Sequence, residues 1–358
     1  MTTQHTFESL HEVQDVMQKE NKSLVVFENI VYDVTEYMGT HPGGSEFIEN
    51  ELGTHIDEKF EEAEHTKSAR KLFKDIPSLG KMKTNDETDV GSDDNLQAGA
   101  ASHMDGGSSL GCTREFDYSK GLFKQMWDCD WSFEEYYVFI NEPKVLVNPV
   151  RNLKLFDGYF SFLEIVTMTP WWLIPLFWVP IIVYLFNSVA EHFTSEQQAG
   201  LFAFGFVYWT FAEYFIHRFI FHVEDLGIFP RNTKIYAIHF LTHGIHHAFP
   251  QDKYRLVFPP TLGVPLFACV LFTPAYLLFG IEFASMFTAG SLAGYVIYDI
   301  VHYFLHFCNP MQGYWRQLKV FHMQHHYKNG SLGFGVSSRF WDVFFDTDIE
   351  TDMKPMLK

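Results

Sequence analysis

Histidine is the residue type whose number and spacing here point most directly to chemistry. Eleven of the chain's eighteen histidines fall in four tight clusters between His217 and His326. In order these are His217-x4-His222, His239-x3-His243-x2-His246-His247, His302-x3-His306 and His322-x2-His325-His326. Neutral imidazole is the commonest metal ligand, and residues three or four apart share one face of a helix. Four such grips point to more than one metal ion, and an all-nitrogen donor set suits iron, zinc or copper. One buried histidine is ordinary; eleven gathered this way imply a metal centre. The Glu-x-x-His repeats of carboxylate-bridged bundles are missing from these clusters.

The elements that must carry these clusters are apolar. Four stretches, near 166–187, 200–221, 257–280 and 283–305, are each close to the ~20 residues that cross a bilayer. Between residues 166 and 304 the cationic side chains are Arg218, Arg231, Lys234, Lys253 and Arg255, at the end of the second stretch or before the third, whereas the connectors 187–199 and 280–283 carry only acids. The positive-inside rule then places the N-terminus, the 222–256 loop and the C-terminus in the cytosol. All four clusters fall on that side, and the lone His192 falls on the other. Ionisable groups at membrane spans are costly and tend to be functional.

The rest of the composition sets bounds. With 26 Lys and Arg against 44 Asp and Glu, a nucleic-acid partner is not expected. Cys112, Cys129, Cys269 and Cys308 are scattered with no CxxC pair or disulfide framework, which suits the reducing cytosol. Residues 1–20 are polar and acidic without the apolar core of a signal peptide, so insertion is expected through the internal stretches.

Residues 1–83 read as a small soluble domain, with strands over Ser23–Phe27 and Ile30–Tyr32 and a helix over Thr66–Lys74. His41-Pro42-Gly43-Gly44 is a tight turn, and His65 follows 24 residues on, just before that helix. Two loop histidines on opposite walls of a pocket are what six-coordinate haem requires, and filling both axial positions directs the iron to electron transfer. His55 is an alternative second ligand by type. Glu46, Glu49, Glu51, Asp57, Glu58, Glu61, Glu62 and Glu64 surround the pair, a surface suited to transient docking of a basic partner. Residues 84–112 are Asn, Asp, Ser, Gly and Ala with hardly an apolar side chain, and are expected to be a disordered linker. A tether of about 28 residues has a reach of roughly 30 Å.

Two resemblances follow from these motifs. With Val31-Tyr32-Asp33-Val34-Thr35 upstream, residues 5–83 resemble cytochrome b5, which implies haem b with His41 and His65 as axial ligands. Glu64 stands where that family usually has Gly. Glu213-Tyr214-x2-His217-Arg218-x3-His222 and the later clusters look like the histidine boxes of the membrane fatty acid hydroxylase and desaturase superfamily. Tyr254-Arg255-Leu256-Val257-Phe258-Pro259-Pro260 and Gly333-Phe334-Gly335-Val336-Ser337-Ser338-Arg339-Phe340-Trp341-Asp342 resemble the fatty acid 2-hydroxylase family over most of 113–350. The resemblance implies a dimetal centre, iron in catalysis with zinc as a possible bound species, held by His217, His222, His243, His246, His247, His302, His306, His322, His325 and His326. His239 falls outside that set; one turn from His243, it is expected to orient a ligand rather than to be one.

The expected fold is a small α+β cytochrome b5-like haem domain (1–83), the linker (84–112) and an all-α membrane domain of about four transmembrane helices (113–358) with the dimetal site in a cytosolic cap. The expected activity is O2-dependent 2-hydroxylation of fatty acyl chains, free or in ceramide. Metals near the headgroup level would reach carbon 2 while the rest of the acyl chain stays in lipid. A desaturase or sterol oxidase with the same boxes, and a non-catalytic haem carrier with metal storage, are the alternatives. Gly333-x-Gly335 opens no strand–helix unit, so no dinucleotide site is expected. Electrons are then expected from a separate NAD(P)H–cytochrome b5 reductase. The multispan layout and the family resemblance imply the endoplasmic reticulum membrane.

Overall fold

The computed structural model describes residues 5–39, 41–63, 65, 67–73, 75–83, 116–144, 153–308 and 312–349. The linker expected over 84–112 lies outside them. The chain divides into two compact units, Met1–Cys112 and Thr113–Lys358.

In the first unit, β1 (His5–Phe7), β2 (Leu24–Phe27), β3 (Ile30–Asp33) and β4 (Ser78–Met82) form one sheet in the order β1-β4-β3-β2. β2 and β3 pair antiparallel, with Leu24 opposite Asp33 and Phe27 opposite Ile30. Glu28 and Asn29 close this hairpin at φ 49° and 62°, the left-handed pair that matches strand twist in a two-residue turn. A helix over Leu10–Glu20, capped by Ser9, covers the sheet. Phe7, Val13, Leu24, Val26 and Val31 are the core. Short helices over Ser45–Glu49, Asp57–Glu62 and Lys67–Leu72 follow. The third is the helix expected over 66–74; Thr66 and Lys74 are not among the described residues.

Among the described residues of the second unit, four helices are long and apolar enough to cross a membrane: Leu173–His192, Ser195–Phe221, Pro260–Phe279 and Ile281–Phe307. The first begins later than the hydropathy suggests. Pro170 precedes it, and the Thr169 amide donates to the Tyr254 carbonyl at 2.8 Å rather than into a helix. The second begins earlier, because Thr194 and Gln197 form a reciprocal capping box before the apolar run. The fourth span is the inner one, 72% buried against 17–22% for the others. It meets the second backbone to backbone: a Cβ on Gly205 would sit 2.1 Å from the Phe287 carbonyl oxygen, and one on Gly290 would sit 2.1 Å from that of Phe202. Small residues permit this approach, and the Ser291 hydroxyl donates across it to the Gly205 carbonyl at 3.0 Å. Trp178, Trp209, Phe267 and Tyr295 fill the core among the spans.

Candidate metal centre and haem pocket

The cluster histidines gather at one end of the second and fourth spans, and ten of the eleven form two buried groups. His217, His222, His243, His247 and His325 make one; His246, His302, His306, His322 and His326 make the other. Within each group the ring nitrogens lie within 4.8 Å of one another. Successive helix residues point about 100° apart, so His246 and His247, and likewise His325 and His326, separate into different groups. His302 with His306, and His322 with His326, are one turn apart and stay together.

Helical spacing of three or four does not account for His217 and His222, which are five apart and would diverge on an α-helix. Residues His217–Phe221 form a π-turn instead, closed by the His222 amide donating to the His217 carbonyl at 3.0 Å. The wider turn brings the two rings to 5.1 Å, a use of π-bulges common at functional sites. A second π-turn, Phe240–Gly244, directly follows His239 and contains His243. It removes the shared face expected for His239 and His243, and His239 joins neither group.

The rings are held from outside by backbone. His217 Nδ1 donates to the Phe334 carbonyl at 2.6 Å, His302 Nδ1 to Leu256 at 2.7 Å and His325 Nδ1 to Leu332 at 2.6 Å. Each bond fixes the tautomer and leaves Nε2 as the donor atom turned inward. Inside, His222 and His325 face each other through Nε2 atoms 3.1 Å apart, as do His246 and His302 at 3.0 Å and His306 and His322 at 3.0 Å. Burial first, and then neighbouring imidazoles, hold His243, His246, His247, His322 and His326 well below the usual histidine range, and burial does the same for His325. These rings are therefore neutral, as ligation requires. His217 Nε2, His243 Nε2 and both nitrogens of His247 are buried with no hydrogen-bond partner, which is costly in a protein interior unless something else binds them. The donor set fits two metal ions.

The loop that supplies the Leu332 and Phe334 carbonyls is itself pinned. Asp342 accepts from the Phe334 amide at 2.8 Å, the Gly335 amide at 2.7 Å and the Thr347 hydroxyl at 2.9 Å. Gly335 is required there, since a Cβ would lie 2.1 Å from the Ser338 carbonyl oxygen. Glu213 accepts from the Ser337 amide at 3.1 Å and the Ser337 hydroxyl at 2.5 Å. The Leu256 carbonyl is set by its neighbour Phe258, whose amide donates to Asp299 at 3.2 Å and whose carbonyl accepts from the Tyr295 hydroxyl at 3.0 Å.

Glu224 was not expected from the sequence. Its carboxylate lies 3.2 Å from His222 Nδ1 and 3.0 Å from His239 Nε2. Burial pushes this carboxyl up, but its close pairing with His222 and His239 outweighs that and holds it at about 2. The available signal was an acid two residues after a candidate ligand.

In the first unit His41 Nδ1 donates to the Gly44 carbonyl at 2.8 Å and His65 Nδ1 to the Phe60 carbonyl at 2.9 Å. The ring centroids are 6.1 Å apart. Two metal–nitrogen bonds of about 2 Å plus half a ring on each side come to about 6 Å, so the pair fits the two axial positions of haem iron. Phe60 stacks on His65 at 4.1 Å. His55 lies beside Asp57, 43% exposed, in register with Val26 of β2 and not among the contacts of this pair.

A buried all-imidazole centre at the end of a four-span bundle, with a bis-histidine pocket in the same chain, is the arrangement of a histidine-rich membrane metalloprotein. Residues 202–347 match the fatty acid hydroxylase family, and residues 7–83 match the cytochrome b5-like heme/steroid binding domain. The ceramide very long chain fatty acid hydroxylase SCS7 of Saccharomyces cerevisiae is 33% identical over 93% of this chain and 92% of its own. The fatty acid 2-hydroxylase of Mus musculus is 30% identical over 92% of this chain and 91% of its own. The dihydroceramide fatty acyl 2-hydroxylase FAH2 of Arabidopsis thaliana is 40% identical over 60% of this chain and 86% of its own. A solved structure of full-length scs7p, with only the hydroxylase domain visible, superposes with a TM-score of 0.59 at 38% identity, covering 68% of this chain and 89% of that one. The chain belongs to the fatty acid 2-hydroxylase family and is an oxidoreductase with a fused cytochrome b5-like domain.

Proposed function

We propose that the protein inserts one oxygen atom of O2 into the C2–H bond of a fatty acyl chain, carried as a free acid or in ceramide. For each turnover the second oxygen atom leaves as water, at the expense of two electrons and two protons. The observation that carries this reading is the pair of buried five-histidine groups at the end of the spans. The ligands are His217, His222, His243, His247 and His325 for one ion and His246, His302, His306, His322 and His326 for the other. Iron, when bound, would supply the O2 activation. The surrounding residues fix ring orientation through the Leu256, Leu332 and Phe334 carbonyls and exclude bulk water from all ten rings.

Haem b, ligated by His41 and His65, would pass electrons one at a time from an NAD(P)H–cytochrome b5 reductase, whose docking the acidic rim around the two histidines favours. The domains run 1–83, 84–112 and 113–358. The distribution of Lys and Arg supports cytosolic termini, and the lipid substrate class of the named relatives supports residence in the endoplasmic reticulum membrane.

The test is mass spectrometry of acyl chains from microsomes that contain the protein, supplied with NADPH, O2 and the reductase. A product heavier by one oxygen and hydroxylated at carbon 2, lost in His41→Ala and in His246→Ala, is the expected result. A product lighter by two hydrogens would replace this reading with desaturation, and full activity in His246→Ala would remove that residue from the ligand set.

A further inference from the structure

The two histidine groups are alike in ligand type and unlike in what stands behind them. Behind the first runs a buried line of side chains. Glu224 lies 3.2 Å from His222 Nδ1 and 3.0 Å from His239 Nε2, and the Tyr136 hydroxyl lies 2.6 Å from His239 Nδ1. Exposure along Tyr136, His239, Glu224 and His222 is 0%, 5%, 4% and 1%. Asp225 adds a further carboxylate oxygen at 4.0 Å from His222 Nδ1. The His239 Nε2–H also donates to the Phe221 carbonyl at 2.7 Å, in the π-turn that sets His222 against His217.

The second group differs. Among the described residues, no carboxylate lies within ion-pair distance of His246, His302, His306, His322 or His326. The outer hold on this group is a neutral one, the Leu256 carbonyl on His302.

A carboxylate behind an imidazole makes it a stronger donor and attracts the ion. We propose that the two metal positions are unequal: the position formed by His217, His222, His243, His247 and His325 is the tight one, backed by the Tyr136–His239–Glu224 line, and the position formed by His246, His302, His306, His322 and His326 is the weaker, exchangeable one. Glu224, His239 and Tyr136 are positioning residues, since only His222 among these four belongs to a ligand group. This inference rests on the dimetal reading above.

The test is metal counting on the full-length chain in detergent, reconstituted with Zn2+ and challenged with a graded chelator. Wild type should release one equivalent and then a second, at chelator activities at least about tenfold apart. Glu224→Gln should weaken only the tighter step, by roughly 10–100-fold, and Glu224→Asp, which keeps the charge, should recover part of that loss. Tyr136→Phe removes only the outermost link and should weaken the same step by less. It carries the test if Glu224→Gln does not fold. Release of both ions together in wild type would overturn the inequality, as would Glu224 and Tyr136 variants that shift both steps alike or neither. A folded wild type that holds no Zn2+ would overturn the dimetal reading itself, and this inference with it.

Discussion

At the scale of single residues, the centre depends on side chains that touch no candidate ion. Asp342 is the clearest. It accepts the Phe334 and Gly335 amides, and the Phe334 carbonyl accepts from His217 Nδ1, so one carboxylate sets a ring two links away. Asp342→Asn turns an amide NH2 toward at least one of those backbone donors and leaves it unsatisfied in a buried place. The expected cost is about 1–3 kcal/mol of stability, read as a lower melting temperature, with turnover reduced more than the melting shift explains because His217 loses its fixed orientation. Unchanged activity in a folded Asp342→Asn variant would mean that the loop does not position His217.

At the scale of elements, two devices place the ligands. The π-turns at His217–Phe221 and Phe240–Gly244 reset the helical phase, so that His222 turns toward His217 and His239 turns away from His243. The glycine contact between the second and fourth spans fixes how the two helix ends that carry His217, His302 and His306 sit against each other. A side chain at Gly290 has no room, with a Cβ 2.1 Å from the Phe202 carbonyl oxygen. Gly290→Leu must therefore part the spans, and overpacking of that kind costs about 1–3 kcal/mol or more. The expected outcome is a destabilised protein that retains less than its full complement of metal, although residue 290 is three turns from the nearest ligand. Full metal content at wild-type stability would show that this contact does not set the centre.

At the scale of the whole molecule, the two units have separate cores, one centred on Val26 and Val31 and the other on the aromatic packing among the spans. Damage to one cofactor site should therefore leave the other loaded. His65→Ala is expected to abolish the haem absorbance of the purified chain and leave its metal content unchanged, measured by the optical spectrum and elemental analysis of the same sample. Simultaneous loss of metal would mean that the units do not fold independently. Metal removal should act the other way round. Ligands that bind only the native state stabilise it by mass action, so chelation should lower the melting temperature of the hydroxylase unit and leave the haem unit's transition in place.

What the sequence by itself determined is what periodicity and composition encode. Four apolar stretches of bilayer length, the strands expected over 23–27 and 30–32, and the clustering of histidines near span ends all follow from local patterns. The resemblance to cytochrome b5 implied the pair His41 and His65, whose ring centroids lie 6.1 Å apart. Tertiary structure alone decided three matters. The division of ten histidines into two groups of five requires knowing which ring each helix turns to which neighbour, and the π-turns change that phase without any hydropathy signal. The start of the first span at Leu173 was decided by a hydrogen bond from Thr169 to Tyr254, 85 residues away in sequence. The partner behind the rings, Glu224, lies two residues from a ligand in sequence, but its placement between His222 and His239 is a matter of packing. Local sequence fixes which face of a helix is apolar; the sum of long-range contacts fixes which atoms meet across the interior.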